Sequence, residues 1–459
     1  MRPPPTRRRL APVRGAGVSS SAMTHSDAAP TRWLVEWALA AVALGGASLL
    51  VPLYVLELGG GPLALGILAS SAALVGVPSA FAMGRIADRT HRPLILLESG
   101  LLAVAAALAI LPFTQHLGLI IAINAVIWAA FAGLGPVVNL LTVAGAPEAE
   151  WQRRIARLNT FQGWGWAGGL ILGAIWTWVA DPFLGTVGAQ RTFFGICVLS
   201  VLAGAVGLMK DAPSGSALRG LDPRRLRQAL LQAPRMNLRG ATFPFTPGRV
   251  YDWTLRKMDP GELIRRFTGD LALYYLAVFL FFSGFAIYFA PLPFFLDEAG
   301  FSSGAIFTLY LVSSIGAAAS FGIAGRLAER RNVAALQSTG LLLRGLAMPA
   351  VAGAGLIAGA TLTGSLLVGG LFVVIGAAWA IIAVTAATLV VRLAPKGVQG
   401  EALGFYAATS ALAGAGGSLL GGWLAQGSYA VAFGVAGVLV VLGSFLVLRL
   451  RSASGQGGR

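Results

Sequence analysis

Few side chains in this sequence could do chemistry, and those few recur with regularity. The clearest group is Gly84-Arg85-Ile86-Ala87-Asp88-Arg89-Thr90-His91-Arg92, echoed by Gly325-Arg326-Leu327-Ala328-Glu329-Arg330-Arg331. In each, a glycine permits a tight exit from a helix, and a carboxylate beside guanidinium groups can lock a helix end through charge-assisted hydrogen bonds. A lock of this kind opens and closes, so its chemistry is conformational rather than catalytic; the same residues would also serve as a plain topology-setting turn. Three further charges, Glu36, Glu98 and Arg344, stand inside apolar runs. A carboxyl there can carry a coupling proton, which makes Glu36 and Glu98 candidates, although each lies about one turn from the end of its run and could equally snorkel to the interface. Arg344 is deeper, where a bare charge is costly, and reads as a structural ion pair or a carbonyl-bound side chain.

Other chemistries lack their residues. Cys197 is the only cysteine, which excludes an internal disulfide, a cysteine-based zinc site and an iron–sulfur cluster; His25, His91 and His116 are scattered, so no metal site is expected. Gly163-x-Gly165-x-x-Gly168 has the letters of a dinucleotide fingerprint but sits in an apolar run with no strand before it. No Gly-x-x-x-x-Gly-Lys-Ser/Thr sequence occurs, and Lys210, Lys257 and Lys396 lie outside glycine-rich loops, so ATP is not the direct energy source. No nucleophile with a base stands within the runs. The expectation is a protein that is not an enzyme and holds no cofactor.

The elements around these residues are set by composition. Of 459 residues 56% are hydrophobic and 11% charged, too few charges to cover a water-soluble domain. Twelve long apolar runs are legible: Trp33 to Leu58, Pro62 to Met83, Pro93 to Phe113, Leu117 to Val143, Leu158 to Ala180, Thr192 to Met209, Leu271 to Leu296, Gly304 to Ala324, Val333 to Ala358, Leu366 to Val391, Ala402 to Ala425 and Tyr429 to Leu448. Most can cross a core roughly 30 Å thick at about 1.5 Å per residue, and they are continuous where membrane strands would alternate. The fold class is therefore all-α, with twelve membrane-crossing helices. The net charge of +16 is not gathered on a soluble domain, which argues against nucleic acid. With the N-terminus in the cytoplasm, every Lys and Arg except Arg191 and Arg344 falls in a cytoplasmic segment, as the positive-inside rule asks, and both termini are cytoplasmic.

Residues 1–32 read as a disordered cytoplasmic tail with no signal peptide, and Met23 is an alternative start. Residues 33–209 and 271–448 form two six-helix units, and 449–459 a cytoplasmic tail. Between the units, 210–270 is a basic cytoplasmic loop. Asp222-Pro223 and Asp259-Pro260, with Glu262, carry helix-start signals, so this loop is either a pair of surface amphipathic helices or a flexible linker.

The second unit repeats the first. Pro52, Glu57, Gly59 and Gly84-Arg85 recur as Pro293, Glu298, Gly300 and Gly325-Arg326, 241 positions on, and Pro147, Gly169 and Gly173 recur as Pro395, Gly417 and Gly421, 248 on. Repeated halves suit an alternating-access transporter with its site between them near the midplane.

The loop from Gly84 to Arg92 resembles the Gly-x-x-x-Asp-Arg-x-Gly-Arg-Arg signature of the major facilitator superfamily, with His91 in place of the usual glycine and Pro93 in place of a base. The six-plus-six layout extends the resemblance over nearly the whole membrane region. It implies that Asp88 faces the start of span 11 near Gly400 and Glu401, and that Glu329 faces the start of span 5, where a helix dipole favours a carboxylate. Gly165, Gly169 and Gly173, with Gly417 and Gly421, resemble the antiporter motif of drug-efflux branches without its proline; plain close packing is the other reading. The basic residue that drug/proton antiporters often carry in span 4 is missing.

The resemblance also implies that spans 1, 4, 7 and 10 line the cavity. The candidates for substrate contact are then Glu36 and Tyr54, Asn124, Trp128 and Asn139, Tyr274, Tyr275 and Tyr288, and Trp379, Thr385 and Thr388, each of which could instead serve packing alone. An aromatic, weakly charged cavity suits amphiphiles better than sugars or phosphates. The expected function is proton-coupled efflux of drugs or metabolites across the cytoplasmic membrane by a monomer, with the lipid bilayer, a small-molecule substrate and a proton as partners. Nutrient uptake, or sensing by a receptor without flux, are the alternatives.

Overall fold

The computed structural model describes residues 32–89, 93–143, 148–211, 269–395 and 399–450, and these are helical almost throughout. The helices are α1 (Arg32–Glu57), α2 (Pro62–Arg89), α3 (Pro93–Ile110), α4 (Leu117–Val143), α5 (Glu148–Asp211), α6 (Gly269–Phe289), α7 (Leu292–Glu298), α8 (Ser303–Arg330), α9 (Val333–Ala358), α10 (Leu362–Leu393), α11 (Gln399–Gly427) and α12 (Tyr429–Arg449). Among the described residues eleven spans are long and apolar enough to cross a membrane, one of them the 59-residue Arg153–Asp211. That long helix is two crossings joined at Gly185, whose φ of 68° and ψ of 165° are non-helical. The sequence predicts a polar turn over about ten residues there; the chain instead reverses at one glycine between a first arm and a second arm. With α6 and α7 counted as one crossing, twelve crossings result, and residues 32 and 450 lie at the same end of the molecule. This is the termini end; the opposite end, with Gly59, Gly185 and Gly300, is the loop end.

Two expectations about helix boundaries are corrected. Gly84 lies inside α2 and Gly325 inside α8, both helices running on to the arginines of the motif, so neither glycine makes a turn. The seventh crossing, expected unbroken from Leu271 to Leu296, stops at Phe289 and restarts at Leu292. Pro291 accounts for this: it has no N–H to continue the ladder, whereas its counterpart in the first half, 241 positions earlier, is Leu50. The helical content expected over 210–270 falls largely outside the described residues, as do the two tails.

The glycines that do turn are Gly59 and Gly300, with φ of 80° and 89°. The Gly60 and Gly59 N–H groups donate to the carbonyls of Val55 and Leu56, and those of Phe301 and Gly300 donate to Leu296 and Asp297. Both are Schellman caps, closing the first crossing of each half in the same way. The repeat seen in the letters is thus a repeat of backbone geometry.

Within each half, packing follows glycine. A side chain at Gly169 would run into the Val42 carbonyl and the Gly46 nitrogen of α1, and one at Gly165 into the Ala38 carbonyl. In the second half Gly417 lies against the Ser283 carbonyl and Gly421 against Ile287 of α6. Small residues are what let helices approach in lipid, where no hydrophobic force separates helix–helix from helix–lipid contact. The outer faces carry the large exposed hydrophobics, such as Leu74, Leu102, Ile175, Leu199, Leu346 and Phe445, which face lipid.

Gly169→Ala and Gly417→Ala should each lower the unfolding midpoint of the purified protein in detergent, by the ~1–3 kcal/mol of an overpacked contact. Gly195→Ala, at an exposed helical glycine with nothing within 4 Å of the new methyl, should hold or raise it. Equal midpoints for all three would show that the crossings do not depend on backbone contact.

Candidate functional site

The two halves touch at the loop end. There α2 crosses α11: a side chain at Gly422 would meet the Pro62 carbonyl at 2.6 Å and the Gly66 Cα at 2.9 Å, and one at Gly66 would meet the Ser418 carbonyl at 2.6 Å. The first arm of α5 meets α8 through Gly173 under the Phe307 ring and Gly304 against the Trp178 indole. Gln190 Nε2 donates to Ser303 Oγ at 3.3 Å, both side chains buried. All of these residues sit in the loop-end halves of their helices. Gly173 therefore departs from its repeat partner: it faces the other half, while Gly421 faces α6.

Below this closure an apolar cavity lies between the halves. Its walls include Pro52 of α1, Leu68 of α2, Asn124 and Trp128 of α4, Phe289 of α6 and Tyr310 of α8, with Ser48, Pro293 and Ser418 adding small or polar surface. Asn124 Nδ2 reaches the Leu68 carbonyl at 3.5 Å, which ties the cavity wall of α4 to α2. Trp128 leans on Phe131 and Trp166, with ring centroids 6.3 and 6.2 Å away, so the first-half wall is an aromatic cluster. A matching cluster of Phe282, Phe285, Trp379 and Tyr406 stands in the second half.

Of the cavity candidates, Asn124 and Trp128 line this space. The tyrosines do other things. Tyr54 donates from its hydroxyl toward the Pro112 and Thr114 carbonyls at 3.2 and 3.3 Å and receives Arg191 Nε at 3.4 Å, pinning the loop end of α1. The Tyr274 hydroxyl bonds the Gln337 side-chain amide and the Ala386 carbonyl, joining α6 to α9 and α10. Tyr275 donates to the Ala402 carbonyl at 2.9 Å, joining α6 to α11. Tyr288 is fully buried against Phe289 and Phe433. Thr385 and Thr388 bond carbonyls one turn back in their own helix. Asn139 is half-buried on α4, toward the termini end.

The acids are separated from the cavity. Glu36 lies against Gly207 on the second arm of α5, and Glu98 is half-buried on α3. No carboxylate lines the cavity among the described residues. In the gating motif, Glu329 and Arg330 are exposed on α8, and Glu329 has no ion-pair partner among the described residues. The side chains of Asp88, Arg89 and Glu401, and all of Arg92, lie outside the described residues, and so does their expected contact.

Arg344 has no exposed surface and no ion pair among the described residues. Its Nη1 donates to the Ile375 carbonyl at 3.2 Å, the carbonyl contact expected, and the guanidinium carbon stands 4.4, 5.1 and 5.1 Å from the ring centres of Phe285, Phe289 and Trp379.

Phe289, Tyr310, Pro52 and Pro293 are site residues that sequence reading passes over. The two prolines had a signal, since they are repeat partners. Phe289 had one in the aromatic run from Phe279 to Phe289, on a span already marked as lining.

Sequence comparison finds no match among curated proteins. Solved structures share the architecture: nucleoside transporter NupG in a single-substitution mutant form (TM-score 0.68, 12% identity, 92% of this chain and 99% of that one) and without that substitution (0.67, 13%, 93% and 99%). A POT family transporter in complex with a thioalcohol-conjugated peptide is similar as well (0.66, 15%, 92% and 96%). The family model of the Major Facilitator Superfamily matches residues 1–167 and 37–418. The chain spans the membrane many times and belongs to the Major Facilitator Superfamily.

Proposed function

We propose that the protein is a secondary active transporter that exports small amphiphilic drugs or metabolites across the cytoplasmic membrane by alternating access, driven by the proton gradient. The carrying observation is the apolar cavity between two repeated halves, closed at one end by close backbone contact, ring packing and a side-chain hydrogen bond. Among the described residues no ion pair or disulfide crosses the halves at the loop end, so the closure can come apart without breaking a strong bond. A substrate site between two halves with a reversible seal is what alternating access requires.

With both termini cytoplasmic, as the charge distribution argues, the seal lies on the outward side. Glu329, exposed and without an ion pair among the described residues, is then available to lock on the start of α5 in the opposite state, with Asp88 acting likewise toward Glu401 and the start of α11. The aromatic lining supports an amphiphilic substrate, and the names of the structural neighbours do not transfer at 12–15% identity. Glu36 and Glu98 remain the candidate proton carriers; both lie away from the cavity, so coupling would run through helix movement rather than direct contact with substrate. The cavity is complete within one chain, which supports a working monomer.

Gly422→Leu tests the seal. Leu68→Cys lines the cavity, and the sole native thiol, Cys197, is fully buried, so labelling of whole cells by an impermeant maleimide reports access from outside. Adding Gly422→Leu should raise the labelling rate and cut flux about tenfold, the effect of a ~1.4 kcal/mol shift between states. An unchanged rate would place the seal elsewhere.

Flux tests the direction. Cells lacking other efflux systems and expressing the protein should accumulate less of an amphiphilic dye than cells expressing Asp88→Asn, and a protonophore should abolish the difference. Greater accumulation in the wild type would make the protein an importer, and no saturable flux across a wide panel would make it a receptor.

A further inference from the structure

Besides Ser313 Oγ, four buried donors in the second half lack acceptors. They are Arg344 Nε, Arg344 Nη2, the Tyr288 hydroxyl and the Trp379 indole Nε1, none with a hydrogen-bond partner among the described residues. They share one neighbourhood: the guanidinium lies 5.1 Å from the Trp379 ring, and Tyr288 is close enough to interact with its charge. Arg344 is near the centre of α9, roughly 18 Å along the helix from Asn332 at about 1.5 Å per residue, so neither membrane surface is within reach of its side chain.

A structural arginine at that depth should spend its five N–H donors on carbonyls or a carboxylate. This one spends a single nitrogen on Ile375 and leaves the others facing aromatic rings. Cation–π contact offsets part of the charge, up to ~2 kcal/mol, but supplies no acceptor for the N–H groups. The unmet need is for an acceptor with negative charge.

The neighbourhood adjoins the cavity. Phe289, whose ring covers the guanidinium at 5.1 Å, is itself a cavity wall and is the last residue of α6, at the break that Pro291 imposes. That side chain, at a helix end, touches both the cavity and Arg344.

We propose that Arg344, with Tyr288 and Trp379, binds the anionic group of the substrate, a carboxylate or an oxyanion of similar size, reached from the cavity past Phe289. The proposal deepens the transport reading above and rests on it for the word substrate. It makes the transported molecules aromatic or aliphatic acids, their apolar body against Trp128 and Tyr310 and their charge behind Phe289.

The test is binding to the purified protein in detergent, which does not depend on flux. The probes are 1-naphthoate and indole-3-carboxylate, each against its carboxamide, read by tryptophan fluorescence and by thermal shift. Each acid should bind at least about tenfold more tightly than its amide, the effect of one charge-assisted hydrogen bond. Arg344→Gln should erase the preference and Arg344→Lys keep part of it. Because a change at Arg344 can impair folding, Tyr288→Phe, which removes only the hydroxyl, and Trp379→Phe, which keeps an aromatic ring, serve as milder variants, each expected to weaken acid binding several-fold and leave amide binding unchanged. Equal binding of acids and amides, or acid binding indifferent to all four substitutions, would overturn the anion site while leaving transport of neutral amphiphiles intact. Preferential acid binding with no flux of either probe would support the site and remove the transport reading.

Discussion

Close approach of helix backbones at glycine is the interaction on which this molecule rests. In a bilayer, leucine gains little by exchanging lipid for another leucine, so helices associate through contact area and fit. Gly165 and Gly169 bring the first arm of α5 onto α1, and Gly417 and Gly421 do the same for α11 on α6. The same device, used once more between Gly66 and Gly422, joins the two halves. Inside a half the crossing is backed by neighbouring helices and is permanent. Between halves, among the described residues, it stands at the loop end, beside the cavity.

Polar contacts in the second half are unevenly shared. Tyr274 with Gln337, and Ser338 with Ser444, satisfy one another and fix α6, α9 and α12. Around Arg344 the donors outnumber the acceptors. In a medium with no water, a met need rigidifies and an unmet one marks where something else belongs. The first half shows the contrast, for its aromatic wall of Trp128, Phe131 and Trp166 carries no charge. The apolar cavity thus adjoins, through Phe289, a buried cation in one half alone, a division that the repeated backbone does not dictate.

Crossing number, repeat and fold class were legible because they follow from hydropathy and from glycine and proline, whose effects are local. Gly59 and Gly300 turn the chain in both halves as repeat partners should. The failures have the same origin. Gly84 and Gly325 looked like turn glycines, but a helix leaving the bilayer carries its own hydrogen bonds into the interface and has no need to stop. The reversal at Gly185 was hidden because one left-handed glycine does the work of a loop. Tyr54, Tyr274 and Tyr275 were marked for the cavity by type and span; which face of a helix meets which neighbour depends on tertiary packing, and all three hydroxyls are taken by carbonyls or a glutamine. Phe289 and Arg344, adjacent in space and 55 residues apart in sequence, come together only through the packing of α6 on α9.

Reversal of the seal is the central claim, and distance measurement between spin labels tests it most directly. Labels at Ile67 and Leu419 report the loop ends of α2 and α11, and labels at Ile86 and Gln399 report their termini ends; all four sites are exposed. In lipid nanodiscs, two populations should appear, one short at the loop end and long at the termini end, the other the reverse, with shares that shift together across pH. A single population, closed at the loop end under every condition, would contradict alternating access and make the cavity a fixed pocket.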